Sequence, residues 1–139
     1  MRIVHKVAAV CVKDDSLLLV KKAKGMWTTP GGKMELGESE EECLRREILE
    51  ELNCHLEVIR SLGSWEKKAN DRVFKLTAYL VSLVGDPVIS DPELEEFRFV
   101  EKKEFAFIER VWMARGKRIP AMAVESLIPC LKEEKLLEW

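Results

Sequence analysis

Histidine and tyrosine are scarce in this chain, with only His5, His55 and one tyrosine, and the four cysteines are scattered. Cys11, Cys43, Cys54 and Cys130 form no C-x-x-C pair. With cysteines so spaced and only two imidazoles, neither a zinc site nor a disulfide framework is expected. Isolated cysteines in apolar surroundings are expected to be small core residues in a reducing compartment. No apolar run approaches the length of a membrane span, so no membrane partner is expected. The opening residues Met1-Arg2-Ile3-Val4-His5-Lys6 are too polar for the apolar core of a signal peptide, so cytoplasmic is the default. Neither sign of charge prevails: 23 Lys and Arg stand against 25 Asp and Glu, a net charge of -2. Extended nucleic acid is therefore not an expected partner unless a local basic patch exists. Repeats, linkers and low-complexity segments are also missing.

What is present suits a packed fold. Hydrophobic residues make up 47% of the 139, enough for a core, and 35% are charged, enough for a solvated surface. One domain over residues 1–139 is expected. Val4 to Lys13 is rich in β-branched residues, Asp14-Asp15-Ser16 is a turn signal, and Leu17 to Val20 is a short apolar run. Together they predict a hairpin whose second strand is central. Lys24 to Ser39 carries turn chemistry (Gly25, Pro30, Gly31, Gly32, Gly37), and a loop that long is usually functional. Ser39 predicts a helix N-cap, and Glu40, Glu41 and Glu42 suit a first turn. Asn53 predicts the stop, since Asn tolerates left-handed backbone. Strands are expected near 54–66 and 73–84, as a hairpin around Ala69-Asn70-Asp71. A turn at Gly85-Asp86-Pro87, an acidic loop at 91–96 and a short strand at 97–101 follow. Lys102 is expected to begin a helix. A last helix is placed near Ile119, with Pro120 in its first turn and Pro129 kinking or breaking it. Hairpins among helices predict a mixed sheet sandwiched by helices.

The densest signal is Gly32, Glu38, Arg46, Glu47, Ile48, Glu50 and Glu51, spaced G-x5-E-x7-R-E-I-x-E-E. At about 100° per residue, Glu51 lies at about +40° from Glu47 and Glu50 at about −60°. Leu44, Ile48 and Leu52 form an adjacent apolar stripe that would pack on the sheet. Three like charges on one edge cost stability unless something cationic sits there. Carboxylate oxygens suit Mg²⁺, Mn²⁺ or Ca²⁺ rather than zinc. Arg46 is expected to bridge Glu42 and Glu50, and Glu38 to fix the loop–helix junction by accepting backbone N–H bonds. For the three helix glutamates alone, a solvated acidic helix face is the better explanation. Six fixed residues at roughly 6% usage each, however, recur by chance about once in 10⁷ start positions, or tenfold more often in a Glu-rich chain.

The pattern resembles the Nudix box, G-x5-E-x7-R-E-U-x-E-E-x-G-U, over residues 32–54, and Trp27-Thr28-Thr29-Pro30-Gly31-Gly32-Lys33 resembles the family's approach to it. Two positions depart from the box: Asn53 replaces its second glycine and Cys54 its last bulky apolar residue. The resemblance implies a Nudix-type α/β/α sandwich, of the α/β (α+β) class with a mixed β-sheet. It also implies a metal-dependent hydrolase that cleaves a nucleoside diphosphate linked to another group. Carried over, Glu47, Glu50 and Glu51 are metal ligands, with the carbonyl of Gly31 or Gly32 beside them. Mg²⁺ is the implied cofactor, and Mn²⁺ a substitute. Glu50 or Glu47 doubles as base, while Arg46 and Glu38 orient the others. A glutamate from a later loop often joins such sites; of Glu93, Glu95 and Glu96, Glu96 is the choice here.

Lys33 and one of Lys21 and Lys22 are candidates for phosphate. Trp27, Trp65, Phe74, Trp112 and Met113 are candidates for base stacking, and Arg115-Gly116-Lys117-Arg118 is a local basic cluster. Beyond the box the chain lacks the proline of ADP-ribose hydrolases and the tyrosine of dinucleoside polyphosphate hydrolases. That leaves the small MutT-like group, which converts nucleoside triphosphates, some oxidised or non-standard, to monophosphate and pyrophosphate. Hydrolysis of ADP-ribose, sugar nucleotides or dinucleotides is the alternative, and a non-catalytic nucleotide sensor a further one. The expected partner is a small nucleotide; a homodimer is left open.

Overall fold

The structure is a computed structural model that describes residues 2–114 and 123–139, with Lys24 and residues 111–114 described by backbone alone. The chain forms two compact units, Met1–Cys11 with Pro30–Asp91, and Val12–Thr29 with Pro92–Trp139.

The first unit is a four-stranded sheet and one helix. The strands are β1 (Arg2–Val10), β5 (Gly31–Lys33), β6 (His55–Ala69) and β7 (Arg72–Val84), in the order β5-β1-β7-β6. β1 runs parallel to β7 and antiparallel to β5, and β6 pairs antiparallel with β7, so the sheet is mixed. The β6–β7 hairpin closes at Asn70, whose φ of 57° a short polar side chain tolerates. Helix α1 (Glu40–Leu52) follows β5. Ser39 accepts the Glu42 amide at 3.1 Å, and Glu42 accepts the Ser39 amide at 3.3 Å, a reciprocal cap. Asn53 ends the helix in left-handed backbone, φ 49° and ψ 43°. The apolar stripe is as expected: Leu44, Ile48 and Leu52 are fully buried, and each such burial contributes roughly 1.5–3 kcal/mol.

The second unit centres on β3 (Ser16–Lys22). Strand β8 (Leu94–Val100) runs along one edge, and β2 (Val12–Lys13) and β4 (Trp27–Thr28) share the other. Leu17 to Val20 are all buried, as a central strand requires. Helix α2 (Lys102–Ala114) follows β8. A π-helical turn at Ala123–Leu127 leads into α3 (Ile128–Glu133), with Pro129 in its first turn. Trp139 packs against Phe105 with ring centroids 5.2 Å apart and the planes tilted by 43°, and it donates its indole N–H to the Asp15 carbonyl at 2.9 Å.

Several expectations need correction. The predicted first hairpin is two things: β2 and β3 pair across Asp14–Asp15, but β1 pairs only within the other unit. The chain switches sheets at Cys11, which an unbroken β-rich run conceals. The Lys24–Ser39 stretch is not structureless; it holds β4 and β5. β8 begins at Leu94, inside the predicted acidic loop, because Leu94 is buried and pairs with Lys22. The helix start near Ile119 and Pro120 lies outside the described residues. Among the described residues no helix is long and apolar enough to cross a membrane.

Candidate active site

The β5–α1 segment brings most of the box residues together. Gly31 pairs beside Ala8 and Gly32 beside Val7. A side chain at either glycine would meet an obstacle, of a different kind at each. Gly31 has φ 133°, and a Cβ there would stand 2.1 Å from the Val7 carbonyl oxygen. At Gly32 a Cβ would stand 2.4–2.7 Å from the carboxyl group of Glu47. Gly32 is therefore bare because Glu47 lies against it.

Arg46 is the hub. Its Nε and Nη2 grip the Glu38 carboxylate at 2.9 and 2.8 Å, a two-pronged contact. Nη1 donates to Glu47 at 3.0 Å and to Glu50 at 3.3 Å, and Nη2 donates to the Lys33 carbonyl at 3.2 Å. Glu42, the expected second partner of Arg46, is committed to the helix cap instead. Glu38 accepts the Glu35 amide at 2.8 Å, so it does fix the loop before the helix. The Arg46 guanidinium, with that amide, holds Glu38 down at about 2. Arg46 in turn is raised, chiefly by its bond to Glu38. Burial pushes Glu47 up, against the pull of Arg46, and the charges of Glu50 and Glu38 add to the rise.

Glu51 takes a different place from the exposed acidic edge expected of it. It is 4% exposed and accepts the Gly31 amide at 2.8 Å, which ties α1 to β5. Glu50 is the open one, with its side chain 55% exposed. Residues after β7 close the helix end: Ser90 donates to the carbonyls of Glu51 and Glu50, and Val88 to that of Leu52. These satisfy C-terminal carbonyls that would otherwise lack partners. Cys43, under the loop, has its thiol pushed up to about 12 by burial and is inert.

The remaining candidates belong to the following elements. Lys21 and Glu96 belong to the second unit, where Lys21 pairs with Glu95 at 3.4 Å and Glu96 at 4.0 Å, and Glu96 also meets Arg98 at 3.3 Å. Trp27 is a buried residue with Arg98 5.8 Å above its ring. Trp65, Phe74 and Lys33 are on the sheet of the first unit. The side chains of Trp112 and Met113, and the cluster Arg115 to Arg118, lie outside the described residues.

One polar group escaped the sequence reading. His5 Nε2 lies 2.9 Å from the Thr77 hydroxyl and 3.0 Å from Glu40, and Tyr79 donates to Glu40 at 2.7 Å. Tyr79 is thereby pushed up to about 12. Burial opposes ionisation of Glu40, but the Tyr79 and Thr77 hydroxyls with His5 and Lys75 hold it below its ordinary value. The only available signal was alternation along two strands, and that is mute until their register is known.

Among the described residues no three acidic, His or Cys side chains are drawn together closely enough to hold a metal. Glu51 turns to Gly31, and Glu47 and Glu50 share Arg46. The donor chemistry nonetheless fits a hard cation: carboxylates of one helix face beside a glycine backbone, one of them raised by burial and like charge.

A family model described as NUDIX domain matches residues 4–122, a span that draws on both units. The CTP pyrophosphohydrolase of Escherichia coli is 31% identical over 86 residues, covering 58% of this chain and 64% of that protein. Nucleoside triphosphatase NudI of Salmonella arizonae is 30% identical over 121 residues, covering 74% and 85%. A solved NUDIX hydrolase from Nitrosomonas europaea has a TM-score of 0.74 at 20% identity, covering 96% and 89%; it shares the fold, the expected α/β/α sandwich.

Proposed function

The chain belongs to the Nudix family of hydrolases, and from that premise we propose that it hydrolyses nucleoside triphosphates to monophosphate and pyrophosphate. We read the whole chain as one domain of that family. The observation that carries the site assignment is the Arg46 hub, which gathers Glu38, Glu47 and Glu50 beside Gly32. Such a set has little use in a module that only binds. The names of the two relatives, a pyrophosphohydrolase of CTP and a nucleoside triphosphatase, support a triphosphate over a sugar nucleotide.

Glu47, Glu50, Glu51 and the Gly31 carbonyl would hold divalent cation, with Mg²⁺ the first choice. When bound, it supplies positive charge against the phosphates and the leaving oxygen. The chain's own residues do the rest. Glu50 or Glu47 accepts a proton from the attacking water. The new bond is from water oxygen to phosphorus, and the bond that breaks is the α–β anhydride link. Arg46 keeps the carboxylates in place, and Glu38 keeps Arg46 in place. Glu51 fixes the Gly31 backbone against the helix, so one strand and one helix turn as a rigid piece.

The test is a product-resolved screen with Mg²⁺, and with EDTA as control. Ordinary and oxidised nucleoside triphosphates, ADP-ribose, NADH, a sugar nucleotide and diadenosine tetraphosphate would be compared. Metal-dependent release of monophosphate and pyrophosphate is expected. Cleavage of diphosphate-linked compounds alone would overturn the substrate class.

A further inference from the structure

Two carboxylates of α1 meet the sheet of the first unit. Glu47 lies against Gly32, and Glu40 reaches His5, Thr77 and Tyr79. The strand register relates the two contacts. Gly32 on β5 and Thr77 on β7 both pair with Val7 on β1, so all three share one row and one face. Two interstrand steps, about 9.6 Å, separate Gly32 from Thr77. Glu40 and Glu47 are seven residues apart, about 10.5 Å along a helix and only about 20° round it. The spacings match, and one carboxylate of α1 stands at each end of the row.

The three glutamates of the first turn do different work. Glu41 pairs with Arg45 at 2.9 Å, and Glu42 closes the cap with Ser39. Glu40 turns to the sheet instead. There the Thr77 side chain is buried, and Ser64 of β6 reaches its hydroxyl at 2.9 Å. Docking of α1 does not need these polar groups, because Leu44, Ile48 and Leu52 supply the burial. A buried polar set is often replaceable by apolar residues without loss of stability, and its best-attested use is to fix a register. Apolar contacts alone tolerate a small slide or roll of a helix. A carboxylate bonded from two strands fixes one position.

We propose that Glu40 is a positioning residue for the reaction: held by His5, Thr77 and Tyr79, it sets α1 along the Val7 row so that Glu47 meets the bare backbone of Gly32. The inference rests on the reading of Glu47 as part of the acidic site. Glu51 ties the last turns of the helix to the Gly31 amide, and Glu40 ties the first turn to β1 and β7. Glu47 lies between the two ties. Loss of the Glu40 tie leaves the helix fixed at one end, and the displacement falls on Glu47.

The experiment compares the full chain with Glu40→Ala, Glu40→Gln and a combined variant, His5→Leu with Glu40→Leu, Thr77→Val and Tyr79→Phe. Each is assayed for turnover of triphosphate with Mg²⁺, for Mn²⁺ binding without nucleotide by electron paramagnetic resonance, and for melting. Glu40→Ala should lower kcat by about 10- to 100-fold and weaken Mn²⁺ by about tenfold, with KM within about threefold of wild type. Glu40→Gln should recover most of both losses, because its amide accepts from Tyr79 and donates to His5. The combined variant should melt about as high as wild type and still show the losses of Glu40→Ala. Activity and Mn²⁺ affinity that return with its melting temperature would mean a merely structural tie and overturn the inference. Unchanged kcat and Mn²⁺ affinity in folded Glu40→Ala would also overturn it, with hydrolysis by wild type left standing. The amide resonances of Gly32 and Glu47 should move in Glu40→Ala, and resonances that stay put overturn the inference. Where a variant does not fold, Tyr79→Phe decides by the same resonances. If wild type neither binds Mn²⁺ nor turns over a triphosphate, the functional reading fails, and those resonances still judge the tie.

Discussion

Two adjacent glycines should fail in opposite ways when each is changed to alanine. At Gly32 the backbone conformation suits any residue, and the obstacle is the end of a side chain, the Glu47 carboxyl group. Ordinary contact begins at 3.4 Å and the new methyl would start at 2.4 Å, so the Glu47 carboxyl carbon must retreat by at least about 1 Å. A flexible side chain yields cheaply, and the melting temperature should move by no more than about 2 °C. Function should not be spared, because a 1 Å misplacement at a reacting centre costs about 100-fold in rate. At Gly31 the obstacle is backbone, the Val7 carbonyl, and φ is 133°. Strain of that kind costs about 1–3 kcal/mol before the clash is counted. Gly31→Ala should therefore lower the melting temperature by about 5 °C or more. The assay pairs circular-dichroism melts with kcat at saturating Mg²⁺ and nucleotide. A Gly32→Ala protein with kcat within about threefold of wild type would refute the placing of Glu47 at the reacting centre. Equal melting losses for both variants would refute the distinction between side-chain and backbone contact.

Three further outcomes are expected. Glu50→Gln should lose most turnover yet keep or slightly gain stability, since it removes a like charge from beside Glu47; full activity at saturating metal and substrate would remove Glu50 from the site. Stripping divalent metal with EDTA should abolish turnover and leave the far-ultraviolet spectrum unchanged, with Mg²⁺ restoring activity; unfolding on EDTA would mean a structural role instead. Tyr79→Phe should cost about 1–2 kcal/mol near pH 7, because a hydroxyl that bonds an ionised carboxylate is lost. Glu40 is held below its ordinary value, so its contribution is present at neutral pH and lost as pH falls through that lowered value. The gap between Tyr79→Phe and wild type in urea midpoint should accordingly narrow in acid, and a gap that widens there would contradict the assignment.

Local chemistry made much of this molecule legible. Ser39, Glu42 and Asn53 announce the ends of α1, and they do so with bonds to their own neighbours in sequence. The apolar stripe of Leu44, Ile48 and Leu52 follows from helical periodicity alone. The Arg46–Glu50 contact was legible for the same reason, being four residues apart on one helix. What was not legible depends on distant partners. Glu51 is buried because Gly31 turns its amide toward it, and Arg46 prefers Glu38 to Glu42 because the loop before the helix folds back. The break at Cys11 was hidden because β1 and β2 share composition while their partners differ.

The pairing of β1 with β7 also sets a timetable. Val4 faces Phe74 and Val10 faces Leu80, so the first strand waits for the seventh. Until then its one other neighbour is β5, three residues long. Closing so long a loop is slow, and nonlocal strand pairing of this kind governs folding rate more than final stability. During synthesis the apolar run Val7-Ala8-Ala9-Val10 leaves the ribosome well before the strand that will shelter it. A chain halted ahead of Arg72 would display that run with no long partner, a state prone to aggregation. The last strand of the first unit is thus the one that commits the first.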